Sequence, residues 1–178
     1  SEALPWSMLL KLLVAGWSAY YVARKLGLPP ALGLAAGVGF QLSGPLLLWL
    51  GWPLSDVMPW LPLLFISVER LAIGQRRFWV TGACVVALMG AGGEPEALAG
   101  ALLFMLFYLG FRTLLPACDV RAAISAAPLY LLAVAAGLCL LAVQIAPYVE
   151  LSVLATSTAR NAPGATLRLK DLILCFLP

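Results

Sequence analysis

The sequence predicts an all-α protein, a polytopic transmembrane helix bundle of about six spans with a kinked or re-entrant third segment. Three observations predict it. Of the 178 residues, 63% are hydrophobic and 11% charged, with a mean hydropathy of +1.00, whereas about a quarter of a soluble domain's residues are charged. The apolar residues fall into long runs between charges, near the roughly 20 residues that a bilayer core of about 30 Å asks of a helix. Finally, the charges separating those runs sort to two sides when six spans are threaded in alternation.

The first span covers residues 7–21 and continues to Arg24 and Lys25, with Lys11 near its start, where a lysine snorkels to the interface. The second covers 31–49, opened by Pro29-Pro30 and closed by Gly51-Trp52-Pro53. Pro59 and Pro62 interrupt the third, 55–68, because proline removes a helical donor and clashes with the preceding turn; such a segment survives at membrane depth only when packed against protein. The fourth covers 78–91, the fifth 96–111 and the sixth 124–146, the last two separated by the polar stretch 112–121. Residues 148–171 then form a polar external loop, and 172–178 begin an apolar run too short to cross.

This threading puts Arg24, Lys25, Arg70, Arg76, Arg77, Arg112 and Arg121 on one side. Glu2, Asp56, Glu94, Glu96 and Glu150 fall on the other, with Arg160, Arg168 and Lys170. By the positive-inside rule the first side is cytoplasmic and both termini are external. Residues 1–178 read as a single transmembrane domain. A start without Met on the outer side and an end inside an apolar run are expected of an internal stretch of a longer membrane protein; the other reading is a small processed subunit.

Composition also bounds the chemistry. Eight acids and eleven bases leave +3, too little and too scattered for a nucleic-acid surface. Histidine is absent, which removes the commonest transition-metal ligand and the usual general base near neutral pH. Cys84, Cys118, Cys139 and Cys175 lie far apart with no CxxC pair and read as small buried apolar residues. Trp6, Trp49, Trp52, Trp60 and Trp79 fall near span ends, as in an aromatic belt.

The carboxylates at the outer ends are the candidate site. In Gly92-Gly93-Glu94-Pro95-Glu96 the glycines permit a tight turn and Pro95 suits the first turn of a helix. Glu96 then either caps the fifth span, where the helix dipole favours an anion, or lines a cavity with Glu94. Gln144, Pro147 and Glu150 are spaced by three and share a face if the helix continues through Pro147, with Ser157 and Arg160 downstream as pairing partners. Gln144 is equally read as a helix-packing hydrogen bonder. Ser55 or Asp56 is expected to cap the third segment, and Glu69-Arg70 to be an interfacial anchor or local ion pair. Gly33 and Gly37, four apart, allow close helix approach.

The order of these motifs resembles a known family. Leu42-Ser43-Gly44-Pro45 through Gly51-Trp52-Pro53, Trp60-Leu61-Pro62-Leu63 with Val68-Glu69-Arg70-Leu71, Gly92 to Glu96, and Ala142 to Glu150 with Ser157 and Arg160 together resemble the YfhO-type family of bacterial multispan membrane proteins. The resemblance covers nearly the whole chain. It implies a C-type glycosyltransferase-like protein, which takes a sugar from a polyprenyl-phosphate donor on the outer face, with its catalytic base in an external loop upstream of this chain. Where the family commonly has a histidine before the Pro-Glu pair, this chain has Glu94.

The reading for Glu94, Glu96, Gln144, Glu150 and Arg160 is therefore substrate binding. The carboxylates would meet sugar hydroxyls or a divalent cation, and the Arg160 fork a lipid phosphate. The expected partners are membrane lipid, a polyprenyl-linked sugar and a larger membrane complex, with no nucleic acid. If these residues are the whole protein, the expectation becomes a small non-catalytic transmembrane subunit within that complex.

Overall fold

A computed structural model describes residues 3–114, 120–143, 146 and 147. Their regular structure is entirely helical, and no strand occurs among the described residues. The chain runs through α1 (Ala3–Lys25), α2 (Pro30–Gln41), α3 (Gly44–Leu48) and α4 (Leu54–Val57), a 3-10 turn (Met58–Trp60), then α5 (Leu61–Ala72), α6 (Phe78–Ala91), α7 (Pro95–Leu114) and α8 (Val120–Leu140). Residues through Leu141 form one compact unit. In the second, Ala142–Pro178, only residues 142, 143, 146 and 147 are described, all helical.

Local chemistry sets the helix ends. α1 stops because Gly27 takes φ 94°, so the Gly27 and Leu28 amides turn back to the Arg24 and Ala23 carbonyls. The same ending recurs after α5, where Gly74 at φ 85° returns its own and the Gln75 amide to Leu71 and Arg70. A glycine in the left-handed region satisfies carbonyls that a helix end leaves open. Pro30 begins α2 and Pro95 begins α7, where a missing N–H costs nothing.

α1 and α2 pack as a hairpin at backbone distance. A Cβ on Gly37 would stand 2.7 Å from the Gly16 carbonyl oxygen, and one on Gly33 would stand 3.2 Å from the Tyr20 ring. The close approach expected of Gly33 and Gly37 is thus present, and its other half is Gly16 with Tyr20. α6 and α8 meet in the same manner, with Gly137 against Val86 and the Ala83 carbonyl.

The proline-broken segment is the hub. α5 packs against α1, α6, α7 and α8, and Leu64, Ile66, Val68, Leu71 and Ala72 are buried along it. Val57, Leu64, Val68 and Leu71 share one core with Val86, Met89, Met105, Leu109, Ala126 and Tyr130. Pro62 offers no N–H to the Pro59 carbonyl, and the wholly buried Ser18 of α1 supplies the donor, its Oγ 2.7 Å from that oxygen and 2.9 Å from its own Ala15 carbonyl. A break in a helix is tolerated where a neighbour re-satisfies the backbone.

Among the described residues, two stretches are long and apolar enough to cross a membrane, Pro30–Leu48 and Pro95–Leu114, and only 17% of each is buried in the protein. Phe78–Ala91 and Ile124–Leu140 are shorter apolar helices. The stretch 31–49 is two helices rather than one, divided at Leu42-Ser43. Cys84 and Cys139 are free and exposed, a correction to their reading as buried residues: they sit on outward faces of α6 and α8, and hydrophobicity alone does not say which face of an all-apolar helix turns inward. Cys118 and Cys175 lie outside the described residues.

Candidate functional site

Polar chemistry gathers at the two ends of the broken segment 54–72. At the first end, Lys11 reaches across from α1. Its Nζ lies 2.8 Å from Asp56 Oδ1 and donates to Ser55 Oγ at 3.0 Å. The Ser55 hydroxyl is buried and within reach of the Leu50 and Trp52 carbonyl oxygens, at 2.9 and 2.8 Å. Lys11 therefore closes the turn before α4 as well as pairing with its carboxylate. Asp56 and Ser55 do not cap α4 through their side chains, a correction to the expectation for them: a cation from another helix has taken both oxygens.

The Gly92 to Glu96 turn lies against the same place. A Cβ on Gly92 would fall 2.8 Å from the Asp56 Cβ, and Gly93 takes φ 78°. The chain can therefore pass over Asp56 and reverse into α7, as the glycines imply. Glu94 is half-buried, and its carbonyl accepts the Leu98 amide at 3.2 Å. Glu96 is exposed in the first turn of α7. This end thus assembles Lys11, Asp56, Glu94 and Glu96, with Asp56 37% exposed and Lys11 19%. Among the described residues neither the Glu94 nor the Glu96 carboxylate has a hydrogen-bond or ion-pair partner, so both keep their acceptor capacity there.

Gln144, Glu150 and Arg160 lie outside the described residues, as does the loop 148–171. Among the described residues, no three cysteine or carboxylate side chains come close enough to hold a metal ion.

At the opposite end, Glu69 is held between helices. Arg112 Nη2 of α7 donates to its Oε1 at 2.8 Å and the Tyr108 hydroxyl to its Oε2 at 2.6 Å. Tyr108 and Arg112 are four apart on one helix face, and both partners of the ion pair are 16% exposed. Phe65 packs on the Tyr108 ring at 5.0 Å between centroids. Arg70 instead donates to the Lys25 carbonyl at 2.8 Å. This corrects the local Glu69-Arg70 pair: adjacent residues on a helix point about 100° apart, and Glu69 turns toward α7.

Lys11, Tyr108 and Arg112 are the residues that reading along the chain did not assign to these contacts. The available signal was a lone lysine in an apolar run, and a tyrosine and arginine four apart at a helix end. Searches against protein family models, curated protein sequences and solved structures give no match to this chain.

Proposed function

We propose that the chain is the membrane portion of a glycosyltransferase-like protein that moves a sugar from a polyprenyl-phosphate donor on the outer face of the bacterial inner membrane. The observation that carries the membrane half of this reading is the exposure of its apolar helices. A core helix of a soluble protein is mostly buried, whereas Pro30–Leu48 and Pro95–Leu114 leave most of their apolar surface uncovered. Trp6, Leu48, Phe104, Phe107 and Leu114 are each at least 63% exposed, a surface suited to lipid.

Helix lengths support a reading of six crossings, Pro30–Leu48 being one of them. α1 runs about 35 Å, α7 about 30 Å, α8 about 32 Å and the broken segment 54–72 about 28 Å at about 1.5 Å per residue. α6, at about 21 Å, crosses with local thinning or flanking arginines. The Arg24, Lys25, Arg70 and Arg112 end faces the cytoplasm, and the Asp56, Glu94 and Glu96 end faces out.

The sugar-transfer half rests on the resemblance to YfhO-type proteins, with Asp56, Glu94 and Glu96 offering acceptors for sugar hydroxyls. The resemblance gives Gln144, Glu150 and Arg160, which lie outside the described residues, the same substrate-binding role, Arg160 toward the donor phosphate. The test has two parts. In intact cells, an impermeant maleimide labels a cysteine placed at Gly51 and spares one at Gln75. In the full-length protein, Glu96→Gln and Glu150→Gln lower sugar transfer; unchanged transfer in both removes these carboxylates from substrate binding.

The second reading, a non-catalytic subunit within a larger membrane complex, is favoured by one observation. Both ion pairs among the described residues tie helix to helix, Lys11 to Asp56 and Glu69 to Arg112, so their charges serve the bundle. Sugar transfer by the purified full-length protein decides against it.

A further inference from the structure

We propose that the groove between the α1/α2 hairpin and α5/α7 holds an acyl chain of an anionic phospholipid of the cytoplasmic leaflet, with its phosphate on Arg24 and Arg70. The inference rests on the membrane half of the reading above and is independent of sugar transfer. The groove has a volume of about 490 Å³ and an entirely apolar lining, including Val22 and Leu26 of the α1 end, Phe40 of α2, Phe65 of α5 and Met105 of α7. That volume lies within the range of small-molecule sites, about 300–1,000 Å³. Its lining residues reach from Leu28, just before α2, to Phe40 near the end of that helix, a stretch of about 15 Å or half of a bilayer core of about 30 Å.

Charge says which lipid. Leu26 and Leu28 of the turn after α1 line one end of the groove, and two guanidinium groups are fastened to that turn by its own backbone. Arg24 Nη1 donates to the Leu28 carbonyl at 2.6 Å and Arg70 Nη2 to the Lys25 carbonyl at 2.8 Å. Each bond uses one of five guanidinium donors, so both groups are oriented and still able to bind phosphate oxygens. Lys25 adds a third cation, its Nζ 5.4 Å from the Tyr21 ring centre. Among the described residues none of the three is ion-paired, and the nearby carboxylate, Glu69, is already engaged by Arg112 and Tyr108. Three cations without a carboxylate partner, gathered about the Lys25–Leu28 turn at one end of an apolar groove, match an anionic headgroup on a hydrocarbon chain. Two arginines hold it by charge-assisted bonds to phosphate.

The experiment is native mass spectrometry of the full-length protein with dioleoyl phosphatidylglycerol and dioleoyl phosphatidylcholine in competition. The wild type retains phosphatidylglycerol preferentially, and Arg24→Gln and Arg70→Gln each lower that preference about fivefold, the effect of one basic group near an anionic headgroup. Ala36 lines the groove and is exposed, so Ala36→Trp fills the groove without burying a new side chain in the core; it lowers retention of the lipid while leaving the charges in place. Equal retention of the two lipids, or a preference indifferent to all three substitutions, overturns the site. Displacement of phosphatidylglycerol by equimolar polyprenyl phosphate, abolished by Ala36→Trp, overturns the phospholipid assignment in favour of the donor. Release of the protein from membranes by alkaline carbonate is a separate result, which overturns the membrane reading itself.

Discussion

The Ser18 hydroxyl of α1 lies 2.7 Å from the Pro59 carbonyl oxygen, in the middle of the proline-broken segment, and Ser18 is wholly buried. One side chain thereby compensates the irregularity that two prolines create. Seven residues earlier, two helical turns along the same face, Lys11 meets Asp56 and Ser55. α1 is a splint along the break.

Ser18→Ala is expected to lower stability by about 1–3 kcal/mol, the cost of leaving a buried acceptor unsatisfied. Thermal unfolding of the purified protein in detergent measures it. An unchanged midpoint means that the Pro59 carbonyl has found another donor.

Lys11 and Asp56 are expected to couple by about 1 kcal/mol in a double-mutant cycle of Lys11→Met and Asp56→Asn, toward the upper end for a partly exposed pair. Lys11→Met costs more than Asp56→Asn, because it also strips the cation from Ser55. Additive effects would show that the pair contributes geometry without energy.

Gly37→Ala and Gly39→Ala are neighbours on α2 with opposite expected signs. A Cβ at Gly37 meets the Gly16 carbonyl oxygen at 2.7 Å, while one at Gly39 has nothing within 4 Å. Overpacking at Gly37 costs about 1–3 kcal/mol, whereas Gly39→Ala gains about 0.5–1 kcal/mol of helix preference. Unfolding midpoints moving in the same direction would contradict the hairpin packing.

Glu69 gives a graded series. Tyr108→Phe removes one hydrogen bond to a carboxylate and costs about 1.5–3 kcal/mol. Arg112→Ala leaves that carboxylate half-paired in a protein-enclosed position and costs more, approaching the roughly 3–5 kcal/mol of a broken buried pair. Adding Glu69→Gln to Arg112→Ala restores part of the loss, since no charge is then left unpaired. If Glu69→Gln deepens the loss instead, Glu69 has a partner other than Arg112 and Tyr108.

Helix positions were legible where punctuation is local. Residues 78–91 form a helix with those bounds because Arg76-Arg77 precede them and Gly92-Gly93 follow. The reversal into α7 was likewise readable from Gly93-Glu94-Pro95, since positive φ and a proline at the first helical turn are properties of single residues. The site was less legible. Glu94 and Glu96 stand at the start of α7 as their spacing implies, but Asp56 is drawn to Lys11 across more than forty residues of chain, and no local pattern encodes that distance.

The sequence by itself determined the helical class, the apolar runs and the separation of positive from acidic ends, because these follow from composition and from a 3.6-residue period read one segment at a time. Only the tertiary structure decided that the most irregular segment is the central one. Prolines 59 and 62 mark a defect when their segment stands alone. Packed against α1, with Ser18 donating to the freed carbonyl and Lys11 held by Asp56, the same defect becomes the place where helices from both halves of the unit meet. Hydrogen bonds and ion pairs of this kind depend on which faces come together, and in a chain of nearly all-apolar helices hydrophobicity alone does not choose the face.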